Sequence, residues 1–320
     1  MKYDNEQQTQ ESSRGSVSWF RRFMAVVHYE MLWNIRKKKF IGVIAFAFLI
    51  SSIGLVLPFI LGDVIPQNAH FAITYGADSL SLFLFALVIA MNSMSSEFES
   101  GTIVPLLTKP VSRTTVFLGK LFAAFIVLLI SFTVLFTYTT VGSIFVFGAQ
   151  SDLGLLPVVL FGNIISAFIW VSMLLAMGTI TKNTILTVII AAGLFISLFM
   201  ALPIVSVLSG PSTALNYFPG TGATGTLITA DNSEFSVNAG TDSLGVNMVY
   251  ALLYPGQNVN FFKTDIWSIQ IGDQTLPAME LLYTESIGFI ALRGLVIALA
   301  YIVVFLLIGW LAFKKTQINE

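Results

Sequence analysis

The sequence predicts an all-α membrane protein: six transmembrane helices, an N-terminal amphipathic interfacial helix, and a small extracytoplasmic domain between helices 5 and 6. Three observations carry this expectation. The chain is 56% hydrophobic and only 10% charged, against roughly 25% charged residues in soluble domains. Apolar runs of about 20 residues, each enough for one crossing, recur along it. Its 16 Lys and Arg residues are unevenly spread, and all but Lys263 and Arg293 fall on one side of the predicted topology. The net charge of −1 favours neither nucleic acid nor an acidic substrate. The absence of cysteine excludes disulfides, thiol nucleophiles and Cys-based metal sites. Two histidines, His28 and His70, are too few for a dedicated zinc site without carboxylate help.

In chain order, residues 1–18 are polar and rich in Gln, Glu and Ser, and are expected as a disordered cytoplasmic tail. They lack the apolar h-region of a signal peptide. Residues 19–39 are expected as the interfacial helix. Trp19, Phe20, Phe23, Val27, Met31 and Ile35 recur at helical spacing, with Arg21, Arg22, Glu30 and Arg36 between them. Apolar spans follow at 40–61, about 77–94 (or from as early as Phe71), 116–141, 155–177 and 185–208. A sixth runs from 287 to 313, ahead of a short tail at 314–320. Within the block 40–208, residues 95–115 form a cytoplasmic loop and 178–183 a tight inner turn. The short connections 62–76 and 142–154 hold no Lys or Arg, which marks them as external and both termini as cytoplasmic. Small-residue pairs, Gly162/Ser166 and Ala192/Gly193, allow helices to approach closely.

The segment 209–286 differs in composition. Gly, Thr, Ser, Asn and Asp dominate its first half, Trp267–Ile271 alternates like a strand, Val246–Leu253 suits a short helix, and Tyr254–Gln257 is a turn signal. Lys263 stands there against Asp231, Glu234, Asp242, Asp265, Asp273, Glu280 and Glu285. Such a segment is expected to lie wholly outside the membrane core, as a lid or a dock for an extracytoplasmic partner.

The most informative stretch runs from Glu97 to Lys120. It contains Glu97-Phe98-Glu99-Ser100-Gly101-Thr102, then Leu106-Leu107-Thr108-Lys109-Pro110-Val111-Ser112-Arg113, then Gly119-Lys120. This order between two apolar spans resembles the first cytoplasmic loop of ABC-2 type exporter permeases. Glu30 followed by Arg36-Lys37-Lys38-Lys39-Phe40 resembles that family's approach to its first span. The likeness covers roughly residues 20–208 and the last span, and leaves out 210–285. It implies the permease subunit of an ATP-driven exporter in the plasma membrane, with a translocation path formed as a dimer with a second copy or a paralogue. It also implies two copies of a separate ATPase subunit, which would carry the ATP and Mg. The residues it assigns to ATPase coupling are Glu97, Glu99, Gly101, Thr102, Lys109, Pro110, Arg113 and Lys120. Glu97 and Glu99 would pair with basic groups of the ATPase or with Lys109 and Arg113. The interfacial helix, marked by Glu30 and Arg36, would support the loop, and the inner turn would make a second contact.

No catalytic, cofactor or metal site is expected in this chain. Gly119-Lys120 is not a phosphate-binding loop, which needs Gly at position 114 and Ser or Thr at 121; Thr and Leu stand there. Two charges call for a partner near the external end of the spans. Arg293 would lie ~9 Å below the start of the last helix, and Asp78 ~10 Å down a span beginning near Phe71. A charge at that depth costs a few kcal/mol unless paired or brought to the interface; the sequence leaves open an Asp78–Arg293 ion pair, with Glu285 as the rival partner, or an Arg293 that snorkels to the headgroups beside an Asp78 already in water. Two other functional classes stay open. An ion-coupled transporter or channel without an ATPase is disfavoured by the scarcity of intramembrane charges. A membrane anchor for an external partner is the other. Membrane lipids are expected partners under every reading.

Overall fold

The computed structural model describes residues 18–36, 38–61, 79–91, 93–102, 112–230, 232–271 and 274–315. Its helices are α1 (Trp19–Ile35), α2 (Lys38–Leu61), α3 (Ser79–Ala90), α4 (Ser95–Glu99), α5 (Arg113–Phe147), α6 (Leu156–Thr181) and α7 (Thr184–Ser209). After α7 come β1 (Thr224–Ile228), β2 (Glu234–Asn238), α8 (Leu244–Leu253), β3 (Asn258–Ile271), β4 (Gln274–Ser286) and α9 (Ile287–Lys315). Six helical stretches among the described residues are long and apolar enough to cross a membrane: 38–57, 79–99, 113–147, 153–181, 184–206 and 287–315.

Local chemistry sets where these helices start and stop. Ser112 accepts from the Thr115 N–H at 3.1 Å and opens α5. Asn183 accepts from the Leu186 N–H at 2.9 Å and opens α7; both are standard N-cap bonds. Lys182, between α6 and α7, takes the left-handed conformation (φ 53) that reverses the chain. α5 runs past the expected end at 141, straight through Gly142. Leu55 of α2 packs on this glycine, where a Cβ would meet Leu55 Cδ1 at 2.6 Å.

The bundle is organised around α3 and α6, whose Leu82, Phe83, Phe85, Ile89, Trp170 and Met173 are buried. Phe83 stacks on Phe195 of α7 at 4.2 Å between centroids and meets Trp170 edge-on at 5.1 Å. By contrast α2, α7 and α9 present Ile, Leu, Val and Phe outward along most of their length. Outward apolar surface of this kind suits a helix whose solvent is lipid.

The segment after α7 forms a four-stranded antiparallel sheet in the order β2-β1-β3-β4. Its core joins Leu227, Val237, Tyr250, Val259 and Phe261 to Ile287 and Ile290 of α9. The stretch expected as a helix lies in α8, and the alternating Trp267–Ile271 lies in β3.

This segment packs closely against the spanning helices. Gly162 of α6 meets α8 backbone to backbone, so that a Cβ at Gly162 would fall 2.4 Å from Gly245 Cα. Ser166 donates to the Thr241 carbonyl at 2.6 Å. Leu244 packs with Ile169, Ala298 and Ile302, and the Tyr301 hydroxyl donates to the Tyr217 carbonyl at 3.0 Å. Helix α9 has 29 residues, hence a length of about 43 Å. Any hydrocarbon core of about 30 Å fitted to it includes its middle, from about 13 to 30 Å. Ala298 to Ile302 lie about 16 to 23 Å from its start. Tyr217, Thr241 and Leu244 therefore pack against the middle of α9. Irregular backbone packed among apolar helices survives only where protein satisfies it. Here Asp242 accepts from the Gly220 N–H at 3.0 Å, and the Asn216 side-chain oxygen accepts from the Ala223 N–H at 2.7 Å. Burial pushes the Asp242 carboxyl up to about 6.

Candidate functional site

Of the predicted coupling residues, Glu97, Glu99, Arg113 and Lys120 gather where α4 meets α1, α5, α7 and α9. α3 ends at Ala90, and the chain turns before α4 begins after Met94. Ser95 bridges the turn by donating to the Met91 carbonyl at 2.6 Å. A helix of five residues has no stability of its own, so side chains must fix α4 in place.

Lys120 does most of this. It projects from the second turn of α5 and is only 2% exposed. Its ammonium donates to Glu30 Oε1 of α1 at 2.6 Å and to Glu97 Oε1 of α4 at 2.7 Å. The preceding glycine makes the arrangement possible: a Cβ at Gly119 would lie 2.6 Å from Val26 Cγ1, so only glycine lets α1 approach α5 this closely. Trp19 Nε1 donates to Thr115 Oγ1 at 2.9 Å and ties the start of α1 to the same helix. Two carboxylates facing one ammonium leave a net negative charge. Glu30 Oε2 and Glu97 Oε2 have no hydrogen-bond partner among the described residues.

Glu99 faces the other way. Its Oε2 accepts from the Thr184 N–H at 3.1 Å, at the first turn of α7, where the helix dipole favours negative charge. The Thr184 hydroxyl donates to Ser95 Oγ at 3.1 Å, and the Lys182 ammonium lies 5.7 Å from the centre of the Phe98 ring. Arg113, at the start of α5, donates to the carbonyls of Phe313 and Lys314 at 3.3 and 3.1 Å. It thereby satisfies the last turn of α9, and Phe313 in turn packs on Phe98 and Phe117.

Glu97 thus has a partner within this chain, Lys120, where the ATPase, Lys109 or Arg113 was expected. The bend before α4 turns Glu97 in toward α5. Gly101 (φ 70) and Thr102 are exposed at the tip beyond α4, and Arg36 is exposed at the end of α1. Lys109 and Pro110 lie outside the described residues. Ser95, Phe98, Thr184 and Phe313 complete the junction. Nothing in their local sequence distinguishes them from ordinary helix-end residues.

At the opposite end, the Arg293 guanidinium donates to Glu285 Oε1 at 2.7 Å. The observed partner is therefore the rival, Glu285, eight residues back in β4. Asp78 lies outside the described residues.

A family model described as ABC-2 family transporter protein matches residues 24–318. The chain belongs to the ABC-2 transporter family. The match takes in the sheet segment that the loop likeness left out, and it makes this ABC-2 protein a multi-pass membrane component of a transporter. A search among curated proteins returned no match.

Proposed function

We propose that this ABC-2 permease is the membrane subunit of an ATP-driven exporter. Two copies, or this chain and a paralogue, would enclose the path, with two separate ATPase subunits seated beneath. ATP and Mg belong to those subunits, and this chain contributes mechanics. Both termini, the α4 junction and the α6–α7 turn face the cytoplasm, where Lys182, Lys314 and Lys315 follow the positive-inside rule.

The single observation behind this reading is the position of Lys120. One buried ammonium ties together the interfacial helix, the short helix and a spanning helix. A push on the exposed tip at Gly101 and Thr102 reaches α5 and α1 through Glu97. Through Glu99 it reaches α7, and through Phe98 and Phe313 it reaches α9. A five-residue lever with ties to four longer helices suits transmission of force better than passive packing alone. The test is purification of the native complex in a lipid-preserving detergent. An ATP-hydrolysing subunit is expected to co-elute with the permease, and a Glu97→Ala variant to retain it with hydrolysis altered at least several-fold. A wild-type permease that elutes with no ATPase, and conducts without ATP, would reject the reading.

A further inference from the structure

Beneath the sheet, where α9 begins, four polar side chains converge and leave buried Arg293 donors unmatched among the described residues. Arg293 is 8% exposed. Glu285 takes its Nη1, yet its Nε and Nη2 have no acceptor among the described residues. Glu285 Oε2 is likewise buried with no partner among them. Tyr283 lies within electrostatic reach of Glu285 and Arg293, with the Asn216 side chain close enough to hydrogen-bond it. Burial pushes its phenol up to about 12, so it stays a donor at neutral pH.

The hydrogen-bond inventory is lopsided. The two unpaired Arg293 nitrogens carry three N–H groups, against one free carboxylate oxygen of Glu285. Buried donors without acceptors are costly, and a group rich in oxygen acceptors would relieve that cost. The surroundings say what else such a ligand carries. The guanidinium carbon lies 5.9 Å from the Tyr217 ring and 5.3 Å from the Phe289 ring. Tyr217, Phe289, Leu292 and Val296 each expose half or more of their surface. Leu292 and Val296 continue that apolar face down α9 from Arg293 toward the membrane core.

We propose that Arg293, Asn216 and Tyr283 hold the anionic head group of a phospholipid-like amphiphile, whose chain lies along the exposed face of α9 in the sheet-side leaflet. The head group enters as the Tyr217 or Phe289 ring swings aside from the guanidinium. The site does not depend on what drives transport.

The test uses the full-length permease in detergent, followed by thermal unfolding as dioleoylphosphatidylglycerol, dioleoylphosphatidylcholine or inorganic phosphate is added. Phosphatidylglycerol is expected to raise the melting temperature saturably, with an apparent affinity about tenfold above that of phosphatidylcholine, a gap of about 1.4 kcal/mol. Inorganic phosphate should produce no shift. Arg293→Gln should abolish the preference for phosphatidylglycerol. Tyr283→Phe, which removes one oxygen and keeps the packing, should weaken it several-fold and decides the matter should the arginine variant not fold. Equal shifts from the two lipids, a full shift from phosphate alone, or a wild-type response in Tyr283→Phe would each overturn the site.

Discussion

Deleting the Lys120 ammonium while Glu30 and Glu97 remain strands two carboxylates in a buried site. Breaking a buried charge pair from one side costs about 3–5 kcal/mol, whereas replacing the whole set by apolar or neutral groups is often neutral. Lys120→Met is therefore expected to destabilise the permease by about that amount in denaturant unfolding. The triple variant Glu30→Gln, Lys120→Met, Glu97→Gln should regain most of it. Asp242 gives a pH signature. Its folded carboxyl sits at about 6, above the ordinary value of 3.8. Its contribution to stability is complete below about pH 4 and is lost as pH rises through 6. Melting temperatures from pH 4 to 7 should fall more steeply in the wild type than in Asp242→Asn, which has no carboxyl to charge. Glu30, Glu97 and Lys120 were all legible as charges flanking apolar runs. Their mutual contact was not, because ninety residues separate Glu30 from Lys120 and no local pattern records which charge turns inward.

At the scale of elements, hydropathy was sufficient for the spans, and alternation was sufficient for α8 and part of β3. The packing of 213–245 against α6 and α9 was hidden. Gly and Thr around 213–245 read as water-loving when taken alone, and only the partners supplied by Ser166, Asp242 and Asn216 make them tolerable beside α6. The contact that seats α8 is backbone on backbone at Gly162 and Gly245; the Gly162/Ser166 pair marked a close approach on α6 but not what makes it. Gly162→Ala should force α8 off α6 and raise amide hydrogen exchange across 244–253 by at least tenfold, with the α4 junction unchanged. Gly101 is a milder case. Nothing crowds a Cβ there, but its φ of 70 would strain an alanine by about 1 kcal/mol. Gly101→Ala should therefore leave the fold intact and only stiffen or tilt the exposed tip.

Over the whole molecule, the two ends divide the work. One end collects α4, the α6–α7 turn and the last turn of α9 around basic residues, while the other closes with a sheet and a helix let into the bundle. α8 packs on both α6 and α9, so motion of those helices relative to each other must move it. If the α4 junction passes force through Glu97 and Lys120 from an ATPase seated on it as proposed, α8 should respond to ATP. The chain is free of cysteine, and Leu252 on α8 is 59% exposed, so Leu252→Cys offers one clean reporter. The deciding measurement is the rate at which an impermeant maleimide labels Leu252→Cys in the reconstituted complex, with and without ATP, in the presence of Glu97 or of Glu97→Ala. Transmission through the junction predicts an ATP-dependent change in labelling that disappears in Glu97→Ala while ATP is still hydrolysed. An equal ATP-dependent change in both proteins would contradict it.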